Sequence, residues 1–363
     1  MKNTIFILVC AFASIAAHSA ELTLPKTFEN GEVAEAEDFN ANFNYLKSQI
    51  AEQQIQLSDV SDNAPWLNRD LNGGKEIEVD CSLDADALRV AYDANISERQ
   101  LTLIITGSCL GAINWESQAK NQILSIAGNE GAKIVPRVVN GESRVGLISS
   151  FGNGVYINDV DIEMGADDGY AILFSRNSNG GLSNVTITGH GTGAGQVGVV
   201  VQFGASAYLQ TTITGVDYGV GGLKAGSIRM MWSDVTAGTS AVEMDGGQLN
   251  LRGTSMTAPT ALLLSNGAQA LGDGSALNGD LSVNSGSLAN LSGASITGSV
   301  SLDTAIVVLS GDGIPADILT KVSCSGLSQL EITDRSINNN DGNQCLDKAA
   351  WNTLINAAFP QGG

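Results

Sequence analysis

Short apolar segments separated by glycine-rich turns recur along the middle of the chain. One recurring segment reads NVTITG, TTITG, SDVTAG, TSMTAP, GSALNG and GASITG. Its apolar members are Ile187, Ile213, Val235, Met256, Ala276 and Ile296, at intervals of 26, 22, 21, 20 and 20 residues. A second segment reads VGVVVQFG, VGGLKAG, AVEMDGG, LLLSNG and LSVNSG, and its glycines are 22, 21, 20 and 19 residues apart. Two columns with nearly one shared period predict a solenoid of stacked repeats.

The repeats have the character of β-strands. They are rich in Val, Ile and Thr, and no run offers a sustained helical period. The turns between them are rich in glycine, which adopts positive φ without strain. Parallel strands joined by crossovers are nearly always right-handed. The sequence therefore predicts an all-β fold, a right-handed parallel β-helix solenoid over residues 76–315, with a short N-terminal helix and helical caps.

The N-terminal region has three predicted parts. Residues 1–20 combine one Lys, an apolar run and small residues, the pattern of a signal peptide. Residues 21–57 carry apolar positions at alternating spacings of four and three, and residues 58–75 form a polar linker. Two interpretations of residues 21–57 stay open: a lone amphipathic helix packed on the solenoid, or a coiled coil. The coiled coil would form a homo-oligomer through Phe39, Phe43, Leu46 and Ile50.

Four cysteines remain after the signal peptide: Cys81, Cys109, Cys324 and Cys345. An even number in an exported chain indicates two disulfides, for which three pairings are possible. Aligned residues on adjacent coils lie about 4.8 Å apart, a spacing that favours Cys81–Cys109 and Cys324–Cys345. Residues 316–363 are therefore predicted to be a disulfide-bonded C-terminal cap.

Residues 76–140 resemble the opening of the pectin-lyase-like β-helix superfamily. The segments that carry the resemblance are IEVDCSLDADALRVAYDA, LTLIITGSCLGAINW and ILSIAGNEGAKIV. The resemblance implies a strand, then a capping helix, then the first full coil. In this chain Leu83, Leu88 and Tyr92 would form the apolar face of that helix over the open end of the solenoid.

The chain is strongly acidic, with 38 Asp and Glu residues against 18 Lys and Arg residues and a formal net charge of −20. Such a surface repels phosphate backbones, so nucleic acid is not an expected partner. The acidity indicates solubility, and an alternative is loosely held Ca²⁺. No metal site is predicted from cysteine or histidine spacing, and no resident cofactor is expected.

The text GADDGYAI followed by TGHGTGAGQVG resembles the DD and GHG motifs of the polygalacturonases. The resemblance implies that Asp167 and Asp168 are an acid/base pair for glycoside hydrolysis and that His190 supports them. Two departures weaken it: the NTD aspartate is absent, and Arg229 lacks the following lysine of the Arg-x-Lys motif. The alternative is that these are turn residues of a glycine-rich solenoid.

A lyase mechanism would need acidic calcium ligands and a basic residue. Asp159, Asp161 and Glu163 alternate along one strand, and Lys224 and Arg229 are the candidate bases. The sequence shows no obvious basic partner near the three acids, which favours a solvated strand face.

Aromatic residues offer a route to function without catalysis. Tyr208, Tyr218 and Trp232 fall on consecutive predicted coils and could stack on sugar rings or pack internally. We therefore expect a secreted bacterial protein that binds glycans or a cell or polymer surface without cleaving them, located outside the cell, on its outer surface or in the periplasm. No membrane span is expected. The alternative function is a polysaccharide hydrolase or lyase with a degenerate site.

Overall fold

The protein is described by a computed structural model that covers residues 74–111, 113–115, 122–191, 193, 195–311, 314, 317–326, 328–333 and 345. These residues form a parallel β-solenoid of about 11 turns, which confirms the predicted fold class. The predicted signal peptide and N-terminal helix, almost all of the predicted linker and most of the predicted C-terminal cap lie outside the described residues. The alternative roles of residues 21–57 therefore stay predictions.

Each coil contributes strand segments to three faces, which we name in chain order. First-face strands are Lys75–Asp80, Gln100–Thr106, Ile123–Gly128, Gly154–Asn158, Ser227–Met231, Gln248–Arg252, Gln269–Asp273, Leu288–Ser292, Ile306–Ser310 and Gln329–Thr333. Second-face strands are Ser108–Leu110, Lys133–Val135, Asp161–Glu163 and Ser295–Ile296. Third-face strands are Ile113–Trp115, Leu147–Ser149, Tyr170–Phe174, Val197–Gln202, Val300–Asp303 and Val322–Ser325.

Five longer strands pass from one face to the next without a break. Asn179–Thr188 covers the first and second faces, and Ser206–Leu223 covers all three. The strands Asp234–Asp245, Ser255–Ser265 and Ala276–Asn284 cover the second and third faces. The last first-face strand pairs with Ile306–Ser310, so the solenoid continues beyond the predicted end at residue 315.

The inward column of the second face shows how the coils stack. Ile187 lies beside Ile213, Ile213 beside Val235, and Val235 beside Met256. The next member is Leu277, which lies between Met256 and Ile296. The prediction of Ala276 at this position was wrong by one residue, because the larger Leu277 points into the interior and is fully buried.

The first coil is capped by the helix Ala87–Ala94, as predicted. Leu88 and Tyr92 are the buried side chains of this helix, and the Tyr92 hydroxyl donates a hydrogen bond to the Asn114 carbonyl. Leu83 was wrongly assigned to the apolar face: it precedes the helix in a turn and is 86% exposed. The helix covers the end of the solenoid, where strand edges would otherwise be free to pair.

Both predicted disulfides are confirmed. Cys81–Cys109 joins the end of the first strand to the second face, with Cα atoms 5.0 Å apart. Cys324–Cys345 ties the last third-face strand to the chain that follows, with Cα atoms 5.5 Å apart. The covalent links therefore lie near the two ends, where a coil has only one neighbour to pack against. Among the described helices, none has the length and apolar character needed to cross a bilayer.

A short hairpin interrupts an early coil between the second and third faces. Its antiparallel strands are Arg137–Val139 and Glu142–Arg144. The turn residues Asn140 and Gly141 have φ of 54° and 84°, the conformation that favours an Asn-Gly pair in tight hairpins. Arg137 anchors the hairpin to the cap by pairing with Asp86 and donating to the Gly111 carbonyl.

We expect Leu277→Ala to destabilise the solenoid by about 2–5 kcal/mol, because it removes a side chain packed between two coils. The adjacent, exposed Asn278→Ala should cost less than about 1 kcal/mol. Urea unfolding followed by circular dichroism measures both variants. Equal effects would contradict the register of this column.

Candidate functional site

Asp168 holds a turn together between the second and third faces. Its side chain is buried, and its carboxylate accepts hydrogen bonds from the backbone N–H groups of Val145 and Gly165, each at 2.7 Å. A third backbone N–H, from Gly146, donates at 3.3 Å. Three donors leave this carboxylate little capacity for a ligand, so its bonds describe a structural role.

Asp167 is exposed beside the hairpin. Its carboxylate accepts a hydrogen bond from the Ser143 backbone N–H at 2.7 Å. Its own backbone N–H donates to the Ser143 carbonyl at 3.2 Å. An open depression of about 460 Å³ adjoins both aspartates and is also lined by Arg144 and Tyr170.

His190 lies on the following coil with an exposed side chain. Its backbone N–H donates to Oε1 of the buried Gln196 at 2.8 Å, and the Gln196 amide donates to the Gly165 carbonyl at 2.6 Å. The His190 backbone is therefore linked to the Asp168 turn through Gln196. The structure does not make its imidazole part of the depression beside Asp167 and Asp168.

Arg229 is on a different part of the coil from the other predicted catalytic residues. It lies in the middle of the first-face strand Ser227–Met231, whereas Asp167, Asp168 and His190 lie in turns between the second and third faces. The structure therefore brings Asp167 and Asp168 together but separates them from Arg229. The catalytic assignment of these residues stays a prediction.

Asp217 plays the same part as Asp168 on a later coil, and sequence analysis did not single it out. Its carboxylate accepts hydrogen bonds from the backbone N–H groups of Gly193 at 2.6 Å and Gln196 at 3.2 Å, and from that of Gly195. An aspartate shortly before the third-face residues of its coil thus closes a turn at two places in the solenoid.

The acids Asp159, Asp161 and Glu163 lie near the second face. Contrary to expectation they have a basic neighbour: Lys133, one coil earlier, pairs with Glu163 at 2.9 Å. This hydrogen bond and charge raise the pKa of Lys133. Among the described residues, no group of three or more His, Cys, Asp and Glu side chains is arranged to hold a metal ion.

The first face carries a different set of side chains. Tyr208 and Arg229 are directly paired on adjacent coils and both point outward. Trp232 follows at the end of the strand and is 58% exposed, with the Arg252 guanidinium carbon 5.7 Å from its ring centroid. Tyr218 lies on the third face, in register with Val197, so the three predicted ligand-binding aromatics do not share one surface.

An open depression of about 590 Å³ lies beside Trp232 on the first face. Its outward-pointing lining residues are Arg229, Asn250, Leu271, Met231, Arg252 and Asp273. Neither guanidinium forms an ion pair within the described part of the chain.

Three further exposed aromatics border or occupy the first face, and sequence analysis missed them. Phe151 and Phe203 lie in turns that enter first-face strands, and Tyr156 lies within such a strand. Arg176 lies over the Phe151 ring at 4.5 Å, and Lys224 lies over the Phe203 ring at 4.7 Å. The two phenylalanines have φ of 60° and 54°, which is unusual for bulky side chains.

Glu243 lies on the outer side of the third face and is half-buried. Burial raises the pKa of its carboxyl above the ordinary value of 4.5. Its neighbours in register are Gly221 and Leu263, neither of which has a charge to offset the loss of solvent.

No protein-family model matches the chain, and no curated protein matches it. Among solved structures, it is similar to PfbA, a surface adhesin of Streptococcus pneumoniae. The TM-score is 0.36 and the sequence identity is 10%, over 73% of this chain and 93% of that one. A similarity at this level carries no argument about function.

We expect Asp168→Asn to destabilise the protein by about 1–3 kcal/mol, because the neutral amide is a weaker acceptor for three buried N–H groups. Asp167→Asn, at the exposed neighbour, should cost less than about 1 kcal/mol. Thermal unfolding compares the two, and an unaffected Asp168→Asn variant would contradict the structural role.

We expect Glu243→Gln to stabilise the protein at pH 7 and to have little effect at pH 4. A raised folded-state pKa means that the folded protein resists ionisation of Glu243, so wild-type stability falls as pH rises through 4.5 and above. The glutamine variant lacks this loss. Urea midpoints across pH 4–8 measure the difference, and a constant difference would contradict the assignment.

Proposed function

We propose that the protein is exported and binds an extended polysaccharide along its first face without cleaving it. A solenoid face is long and nearly flat, and its positions repeat along the axis, so it suits a polymer better than a small ligand. The two disulfides fit an oxidising compartment outside the cytoplasm.

The observation that carries the proposal is the scarcity of carboxylates on the central coils of this face, since its first strand, Lys75–Asp80, carries three acids and its last, Gln329–Thr333, carries one. The nine first-face strands between Ile123 and Ser310 contain a single acidic residue, Asp273, in a chain with 38. Acids are instead concentrated in turns and on the other faces. A surface with one carboxylate over nine strands, within a protein of net charge −20, is available for contact with a polymer.

Amides and hydroxyls occupy much of the first face instead. One outward column runs through Asn179, Ser206, Ser227, Gln248 and Gln269. Each amide offers both donors and an acceptor, and each hydroxyl offers one of each kind, which matches the hydroxyl groups of a sugar. Aromatic rings beside such a column provide stacking surfaces for the apolar faces of pyranose rings.

Trp232 supplies a second argument. Its φ is 47°, and on the next two coils the equivalent turn positions are Gly253 and Gly274, with φ of 55° and 60°. Glycine adopts this conformation at little cost, whereas a bulky aromatic side chain is strained. An exposed tryptophan in a position that suits glycine supports a ligand contact at this turn.

We expect Trp232→Gly to retain or raise thermal stability while weakening polysaccharide binding about tenfold, or roughly 1.4 kcal/mol. Affinity electrophoresis against acidic and neutral polysaccharides measures binding. Leu83→Ala, which removes an exposed apolar side chain outside the first face, is the control. Failure to bind any polysaccharide would overturn the proposal.

The alternative of polysaccharide cleavage is tested in the same incubations, with and without Ca²⁺. New reducing ends or unsaturated products would contradict a purely binding role. If such products disappear in Asp167→Asn, whose fold is expected to be intact, the glycosidase assignment of the aspartates gains support. Retention without turnover is the outcome that we expect.

A further inference from the structure

Four consecutive coils present rings and cations alternately at the entry to the first face. In each coil one turn residue and one strand residue, five positions apart, point outward. The four pairs in chain order are Phe151 with Tyr156, Arg176 with Gly181, Phe203 with Tyr208, and Lys224 with Arg229. Coils with two aromatic residues at these positions thus alternate with coils that carry one or two cations there.

Strand pairing establishes that these residues form two straight rows. In the strand row, Tyr156 is in register with Gly181, Gly181 with Tyr208, and Tyr208 with Arg229. The turn row consists of Phe151, Arg176, Phe203 and Lys224. Each of them comes two positions after one member of an aligned third-face column, which is formed by Ser149, Phe174, Val201 and Gly222. We call these two rows the ring–cation strip.

Within the turn row each phenylalanine supports the cation of the next coil. The Arg176 guanidinium carbon lies 4.5 Å from the Phe151 ring centroid, and the Lys224 Nζ lies 4.7 Å from that of Phe203. Cation–π attraction of this kind positions a charge without neutralising it. Within the described residues Arg176, Lys224 and Arg229 form no ion pair, so their charge is available to a ligand.

No carboxylate lies near these cations in the chain. The segments 150–158, 175–183, 203–210 and 224–231 contain no Asp or Glu. The strip itself therefore carries three cations and no acid, and the neighbouring carboxylate is Asp245, on the coil after Lys224 and in register with Leu223. An anionic ligand would meet attraction here and repulsion over most of the remaining surface.

The spacing of the strip gives the repeat of the ligand. Tyr156 and Tyr208 are two coils apart, and so are Arg176 and Lys224, which corresponds to roughly 9.6 Å in each case. Gly181 lies between the two tyrosines and has no side chain, and the Tyr156 ring comes within 3.6 Å of the position that a Cβ would occupy there. The tyrosines of the strand row and the cations of the turn row therefore recur with the same period, offset by one coil, and this period is close to the length of a pyranose disaccharide.

We infer that the ligand is an acidic polysaccharide in which charged and uncharged sugar rings alternate, with one acidic group per disaccharide. The uncharged rings would stack on Tyr156 and Tyr208, and the acidic groups would meet Arg176 and Lys224 one coil further along. This inference rests on the proposed function, because it names the chemistry of a polymer on the same face.

The test compares three polymers by affinity electrophoresis and isothermal titration calorimetry. Hyaluronan carries one carboxylate per disaccharide, polygalacturonate carries one on every ring, and dextran carries none. We expect hyaluronan to bind at least tenfold more tightly than either of the others, with an affinity that falls as salt rises.

Variants locate the binding on the strip. The double variant Arg176→Gln/Lys224→Gln should weaken hyaluronan binding about tenfold while leaving any dextran binding unchanged, since each exposed charge contributes up to about fivefold. Arg89→Gln, which removes an exposed cation from the cap helix, should have no effect. Circular dichroism of each variant verifies the fold.

The outcomes separate this inference from the proposed function. Equal binding of hyaluronan and dextran, or preference for polygalacturonate over hyaluronan, would overturn the alternating ligand while leaving a polysaccharide-binding face intact. An unchanged hyaluronan affinity in the double variant would also overturn it. Failure of all three polymers, and of the wider polysaccharide panel, would overturn the proposed function itself.

Discussion

The whole structure depends on in-register stacking of one coil upon the next. Most strands of the central coils pair with a strand of the coil before and of the coil after, so backbone donors and acceptors are satisfied along the length of the solenoid. The same register places aliphatic side chains in continuous buried columns, such as the one from Ile187 through Leu277 to Ile296. Only the ends lack a neighbour, and the cap helix and the two disulfides lie near them.

Stacking also turns a sequence repeat into a surface. A residue that occurs once per coil becomes a row along the axis, so small biases in composition become large patches. Carboxylates that close turns, such as Asp168 and Asp217, lie away from the first face. Amides, rings and cations accumulate where the acids are missing. The acidity of the chain as a whole therefore conceals one surface of opposite character, and we assign the function to that surface.

The solenoid and both cysteine pairings could be predicted from the sequence, because each depends on local pattern or on the coil-to-coil spacing. The cap helix was expected from the resemblance to the pectin-lyase-like superfamily. Individual columns were harder to place. The intervals shrink from coil to coil and allow a slip of one residue, so the sequence pattern predicts Ala276 where the structure has Leu277. The polygalacturonase-like motif could not be interpreted without coordinates, since the same pair of aspartates can serve catalysis or close a turn.

The ring–cation strip could not be found from the sequence alone. Its turn row contains Phe151, Arg176, Phe203 and Lys224, whose residue types differ and whose intervals are 25, 27 and 21. Such a row has no visible repeat, and only strand pairing reveals that its members are neighbours. Tyr218 illustrates the converse, since its sequence position matched the expected aromatic series but its strand belongs to the third face.

Hydroxyl-radical footprinting with bound polysaccharide tests the central claim most directly, because it reports the accessibility of each aromatic ring. Our account predicts protection of Tyr156, Tyr208 and Trp232 on the first face, and unchanged labelling of Tyr170 and Tyr218 on the third. Protection of the third-face tyrosines, with the first face still fully labelled, would contradict it.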